Sequence, residues 1–151
     1  MKRCTVLCLC LAVCSIFAGC SSSNAPDPAP VQVVDPIVEV ASPAEMADML
    51  DFPVPVLDKA IDRCTVLVFD SLPTMGRLYY ADGGVFSIQY GTGDISGIYG
   101  GACQREAEIG GVSVAFYTYE DTCYALWETG GFTHSLTGGS ELESEVAALI
   151  G

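Results

Sequence analysis

Gln104-Arg105-Glu106-Ala107-Glu108-Ile109-Gly110-Gly111-Val112-Ser113-Val114-Ala115-Phe116-Tyr117-Thr118-Tyr119 reads as two β-strands around a tight turn. Gly110-Gly111 accepts the positive φ values of a two-residue hairpin loop, and both flanking runs have strand length. In the second run Val112, Val114 and Phe116 point one way, while Ser113 and Tyr117 point the other. That alternation gives the strand one face for a core.

The same grammar repeats on both sides. Cys64 to Asp70 is a β-rich run that ends before Leu72-Pro73, and Arg77 to Ala81 and Val85 to Tyr90 flank Asp82-Gly83-Gly84. Glu120-Asp121 turns into Cys123 to Glu128, and Gly130-Gly131 turns into Phe132 to Leu136. Short strands at this spacing, joined by tight turns, predict an antiparallel meander. Two capping boxes bracket it. Ser42-Pro43-Ala44-Glu45 opens a short helix that Pro53 and Pro55 stop. Ser140-Glu141-Leu142-Glu143 opens a last helix whose Leu142, Val146, Leu149 and Ile150 form an apolar stripe. The expected fold is α+β: a curved antiparallel meander of about six to seven strands, packed against a C-terminal helix and a short N-terminal helix. One domain, residues 42–151, holds it.

The N-terminus carries an address. Lys2 and Arg3 precede fourteen mostly apolar residues, Thr5 to Ala18, too few for the roughly 20 that a spanning helix needs. Phe17-Ala18-Gly19-Cys20 resembles the lipobox of bacterial lipoproteins, with Phe17 where leucine is usual. That resemblance implies a signal peptide over 1–19, cleavage before Cys20, and diacylglycerol on its sulfur. Acyl chains contribute roughly 0.8 kcal/mol per buried CH₂, so two or three hold a small domain at the cell membrane, on its extracytoplasmic face. Residues 20–41 carry Ser21-Ser22-Ser23 and four prolines, the composition of an extended spacer reaching about 30 to 60 Å. Val31, Val33, Val34, Ile37 and Val38 are more apolar than a spacer requires, which fits one short docked strand there.

Charge and cysteines narrow the partners. Beyond residue 19 there are four basic residues against nineteen acidic ones, a formal charge of −15. Such a surface repels nucleic acid and anionic head groups and favours cationic or neutral partners. Cys64, Cys103 and Cys123 lie in the folded part, where a disulfide between two of them is the default outside the membrane. Pairing through the turns sets Cys103 opposite Thr118, and Thr118 opposite Cys123. The two cysteines are then two strands and about 10 Å apart, too far for a bond. Cys64 with either of the others is the favoured pairing.

Asp94-Ile95-Ser96-Gly97, Gly110-Gly111-Val112-Ser113-Val114, Ala125-Leu126-Trp127-Glu128, Phe132-Thr133-His134-Ser135-Leu136 and the Glu-rich last helix together resemble domain-of-unknown-function family 4367. Its members occur in Gram-positive surface lipoproteins and at the C-terminal end of anti-sigma-factor-like membrane proteins. The resemblance spans roughly residues 45–150 and implies the fold and an extracytoplasmic setting. It supplies no catalytic residue. Tyrosine often stands in that pattern where this chain has His134, a departure that counts against a chemical role for it.

Candidate chemistry is sparse. Gly91-Thr92-Gly93-Asp94-Ile95-Ser96-Gly97 lacks the register and Lys-Ser/Thr ending of a phosphate loop and reads as a turn. His134, Asp94 and Ser96 supply triad residue types without a GxSxG elbow, which leaves His134 a surface or strand-end residue. Cys64, Cys103, Cys123 and His134 are zinc-ligand types without the close pairing of structural sites. Asp82, Asp94, Glu120 and Asp121 sit at turns without EF-hand spacing. No metal or cofactor is expected.

Aromatics are the remaining signal. Trp127 is expected in the core, while Tyr79, Tyr117 and Tyr119 are the candidates for an exposed binding face. The expected role is a non-catalytic surface lipoprotein that binds or senses an envelope protein or glycan. The alternative is a carrier holding a lipid or other apolar ligand within the curved sheet.

Overall fold

The computed structural model describes residues 36–151, so the expected signal peptide, Cys20 and most of the expected spacer lie outside the described residues. Eight strands form one antiparallel sheet: β1 (Ile37–Val40), β2 (Ile61–Phe69), β3 (Leu72–Tyr80), β4 (Val85–Tyr90), β5 (Ala102–Ile109), β6 (Val112–Tyr119), β7 (Thr122–Thr129) and β8 (Phe132–Gly138). Helix α1 (Pro43–Leu50) falls between β1 and β2, and α2 (Leu142–Ile150) follows β8. The sheet is open, with β1 and β5 at its edges.

Strand number and order both depart from the expected meander of six to seven strands. The order β1-β2-β3-β4-β8-β7-β6-β5 joins two four-strand meanders through a β4–β8 pair. Tight turns specify neighbours in sequence, whereas Val85–Tyr90 against Phe132–Thr137 is a long-range pairing that no turn announces. The extra strand is β1, where Ile37 to Val40 pair with Leu67 to Cys64. It is the short docked strand that the apolar Ile37 and Val38 suggested, so residues 37–40 belong to the sheet rather than to the spacer that the bounds 20–41 gave them to. β3 also begins earlier than expected, at Leu72, because Asp70 and Ser71 close the β2–β3 hairpin with φ of 50° and 67°.

Alternation sorts the side chains. Val66, Leu78, Phe86, Val114, Ala125 and Leu136 share one face, each with no exposed surface, and Met46 of α1 and Val146 of α2 complete that core. Burying side chains of this size contributes about 1.5–3 kcal/mol each. Gly76 lets α1 close on β3: a β-carbon there would stand 2.6 Å from Met46 Sδ and 2.8 Å from Leu50 Cδ1. Ser42 caps α1, its Oγ accepting from Glu45 N–H at 3.2 Å, while Glu45 accepts from Ala41 N–H at 2.7 Å. The second capping box is not made. Glu141 takes the N-cap position of α2 without a side-chain cap, and the Leu142 N–H donates to the Gly139 carbonyl at 3.3 Å. The Gly139 carbonyl thus takes up one free N–H of the first turn from the main chain, with no part played by the Ser140 hydroxyl.

Candidate functional site

The opposite face is built from the alternate residues. Thr65, Arg77, Tyr79, Ser87, Ser135, Thr133, Leu126, Tyr124, Ala115, Tyr117 and Tyr119 follow from the strand registers. An antiparallel sheet with one solvated face would leave these hydroxyls wet. Instead Thr65, Ser87, Thr133 and Ser135 are buried. The connection from β4 to β5, residues 91–101, is a strap on this face, touching Thr133, Arg77, Tyr119 and Tyr124.

The strap is fastened at several points. Gly91 N–H donates to the Gly131 carbonyl at 2.9 Å, and the Thr133 hydroxyl donates to the Gly91 carbonyl at 2.6 Å. Asp94 Oδ1 accepts from the Ser96 N–H and hydroxyl at 2.9 and 2.7 Å, closing an Asx turn. Ile95 is buried. At the far end Gly101 lies against Tyr124, where a β-carbon would meet Cζ at 2.8 Å and Cε1 at 2.9 Å. No side chain larger than hydrogen fits there.

Tyr124 is fully buried and stacks on Tyr117, with ring centroids 5.0 Å apart and planes inclined by 11°. Burial pushes the Tyr124 hydroxyl above its ordinary pKa, and the charge of Asp94 adds to the effect. Beside this pair an open groove of about 480 Å³ runs between the strap and β6–β8, lined by Asp94, Ser113, Tyr117, Leu126, Glu128 and Thr133 among others. An aromatic face, two hydroxyls and two carboxylates border it.

The sequence-derived candidates divide. Tyr117 and Tyr119 share this face of β6, and Tyr119 is 40 % exposed beside Gly100 of the strap. Tyr79 also points to this face but lies on β3, four strands from β6 and therefore about 19 Å away. There it carries Arg63 over its ring at 4.2 Å. Burial raises its pKa, but hydrogen bonds with Arg77 and Thr65 and the nearby arginine charges outweigh that and hold it below the ordinary value. Tyr124 and Glu128 are not among the residues expected on the binding face, and Asp94, weighed above only for a triad or calcium, borders the groove instead. The Glu120-Asp121 turn does pair Tyr117 with Tyr124 once the register is written out.

His134 is not a surface or strand-end residue. It is 5 % exposed on the core face, its ring among Phe86, Trp127 and Phe132. Asp94 and Ser96 belong to the strap on the other face, so the sheet separates the three triad residue types. Trp127 is core, as expected.

The cysteines are also dispersed. Cys64 is buried, Cys123 half-buried and Cys103 exposed, and all three are free thiols. Cys64 on β2 is four strands from β7 and six from β5, about 19 and 29 Å along the sheet, which replaces its expected pairing with Cys123 or Cys103. A bulge at Gln104 sets Cys103 opposite Tyr117 rather than Thr118, while Thr118 faces Cys123 as expected. Among the described residues no three His, Cys, Asp or Glu side chains converge as a metal site would require. Nor is any helix among them long and apolar enough to cross a membrane.

No protein-family model, no curated protein and no solved structure matches the chain. The expected resemblance to family 4367 therefore has no family-model match behind it.

Proposed function

We propose that this chain is a non-catalytic surface lipoprotein, tethered through Cys20 to the extracytoplasmic face of the cell membrane, whose domain binds a glycan or peptide of the envelope. The observation that carries the binding site is the stacked Tyr117–Tyr124 pair beside the strap-bordered groove. Tyr124 is clamped by Gly101 and so holds Tyr117 in place before any ligand arrives. A fixed aromatic ring loses little entropy on binding and offers an apolar face to a sugar ring or side chain. Ser113 supplies a hydroxyl at the groove, and the Asp94 and Glu128 carboxylates favour neutral or cationic ligands over anionic ones. The lipobox, the spacer composition and the family likeness support the extracytoplasmic setting.

The carrier reading draws on less. The face backed by α1 and α2 is filled by its own side chains, with Met46, Val66, Leu78, Phe86, Val114, Leu136 and Val146 at the limit of burial. Titration of the protein with soluble cell-wall glycan and peptide fragments tests the binding site. Saturable binding that Tyr117→Ala weakens about tenfold and Tyr79→Ala leaves intact is the expected result, an aromatic anchor contributing on the order of 1–2 kcal/mol. Binding untouched by Tyr117→Ala would move the site elsewhere. Organic extraction that releases a stoichiometric lipid would favour the carrier.

A further inference from the structure

One end of the sheet is apolar where the surface is otherwise strongly acidic. Phe69 and Leu72, paired across the β2–β3 turn, are 67 % and 66 % exposed, and Tyr90 at the end of β4 is 72 % exposed. Tyr90 packs edge-on against Phe132, which in turn lies 4.7 Å from Phe52. Between them an open groove of about 550 Å³ is lined by Leu50, Phe52, Leu72, Pro73 and Tyr90 among others. Exposed aromatic and aliphatic side chains grouped at one tip mark a contact surface.

Two observations say what covers it. The first is where the chain enters. The Val68 N–H donates to the Pro36 carbonyl at 2.7 Å, so the polypeptide arriving from Cys20 joins the sheet one residue from Phe69. Fifteen residues lie between Cys20 and Pro36, so the chain can carry this end no more than about 55 Å from the anchor. The second is charge. The hairpin turns at this end, Asp70-Ser71, Gly110-Gly111 and Gly130-Gly131, carry one carboxylate between them, with Asp51 at the groove beside them; those at the opposite end, Asp82-Gly83-Gly84 and Glu120-Asp121, carry three. Anionic head groups repel the turns of the second end more than those of the first.

We infer that the tip formed by Phe69, Leu72 and Tyr90 rests on the bilayer to which the chain is tethered, with the acidic turns pointing away from it. The inference rests on the proposed lipid anchor at Cys20. Exposed aromatics suit the head-group boundary, where an apolar body meets polar surroundings. A short tether raises the effective concentration of the tip at the surface to the millimolar range, so a patch too weak to recruit free protein still docks. Docking fixes the domain's orientation and leaves the strap-side groove free along its flank for an envelope ligand.

Full-length chain extracted from membranes and reconstituted into phosphatidylcholine vesicles with brominated acyl chains tests the tip. Leu72→Trp places a reporter at the tip and Thr122→Trp one at the opposite end, with Trp127 as common background. Quenching of the Leu72→Trp reporter at least about twofold greater than that of Thr122→Trp is expected, since indole settles at the interface. Equal quenching, or greater quenching at Thr122→Trp, overturns the inference. Tyr90→Trp is the second tip reporter should Leu72→Trp not fold. An intact mass of the same sample separates the two readings. An acylated chain without preferential quenching removes the tip and keeps the anchor; a non-acylated chain with it keeps the tip and removes the anchor.

Discussion

The imidazole of His134 lies parallel to the indole of Trp127, with ring centroids 5.1 Å apart and planes inclined by 6°. Phe86 flanks it at 6.0 Å, and its Nδ1 is buried without a hydrogen-bond partner. Burial disfavours the charged imidazolium and lowers the pKa, while hydrogen bonding to the backbone of Trp127 and Phe132 opposes this without cancelling it.

That arrangement predicts an acid-sensitive fold. In the unfolded chain His134 protonates near pH 6.5, whereas in the folded state it resists. Its contribution to stability is complete above about pH 6.5 and declines as the pH falls from there toward the depressed folded-state value. Thermal unfolding midpoints should therefore fall between pH 7.5 and pH 5.5. His134→Leu should flatten that dependence, because it is the chain's single histidine. An unchanged slope in the variant would place the titrating group elsewhere.

The strap should depend on Gly101. A β-carbon at that position lands on the Tyr124 hydroxyl, and the ring cannot retreat because Tyr117 lies flat against it. Gly101→Ala is expected to cost about 1–3 kcal/mol, the usual range for overpacking a filled site. Limited proteolysis within 91–101 should accelerate in step with that loss. Gly83→Ala is not a suitable comparison, since its φ of 90° adds strain of its own; Gly139→Ala, open on all sides, is.

Much of this fold is legible because local signals and tertiary structure agree. Gly110-Gly111 and Gly130-Gly131 require positive φ, and both fall at two-residue turns between strands of the expected length. Agreement ends where the determinant is non-local. The β4–β8 pair rests on which apolar faces meet, and the strap reads as a glycine-rich break until the sheet it covers is in place. His134 misled for a different reason. Its register with Leu136 puts it on the core face, but imidazole is a polar type and polarity argued for the surface. In the candidate site Tyr117 was found by alternation, whereas Tyr124 required the cross-strand register as well.

The β2–β3 turn offers a stabilising change. Asp70 and Ser71 both hold positive φ without being glycine, a conformation that costs most residues about 1 kcal/mol. Ser71→Gly should raise stability by about 0.5–1 kcal/mol in chemical denaturation, since the strain relieved exceeds the entropy glycine adds to the unfolded chain. Phe69 and Leu72 beside the turn are left in place by this substitution, so preferential quenching at the tip should survive it.

Lys59 joins three parts of the molecule. Its Nζ bonds Asp82 Oδ2 at 2.6 Å in the β3–β4 turn and also Glu145 in the first turn of α2. Hydrogen bonds to Asp82 and then Glu145 raise the Lys59 pKa, and the lysine lowers that of Asp82. The Asp82 arm is half exposed and contributes little. Glu145 is different, its side chain only 12 % exposed, so removing the lysine leaves a nearly buried carboxylate without its cation. Lys59→Met should cost about 1–2 kcal/mol at low salt. Asp82→Asn should leave the unfolding midpoint close to that of the unsubstituted protein. Adding Glu145→Gln to Lys59→Met should recover most of the loss, because the penalty lies in the orphaned charge rather than the missing bond. A double variant no more stable than Lys59→Met alone would show instead that the lysine acts through its stem, which lies near the Tyr80 ring with Nζ 5.9 Å from the centroid.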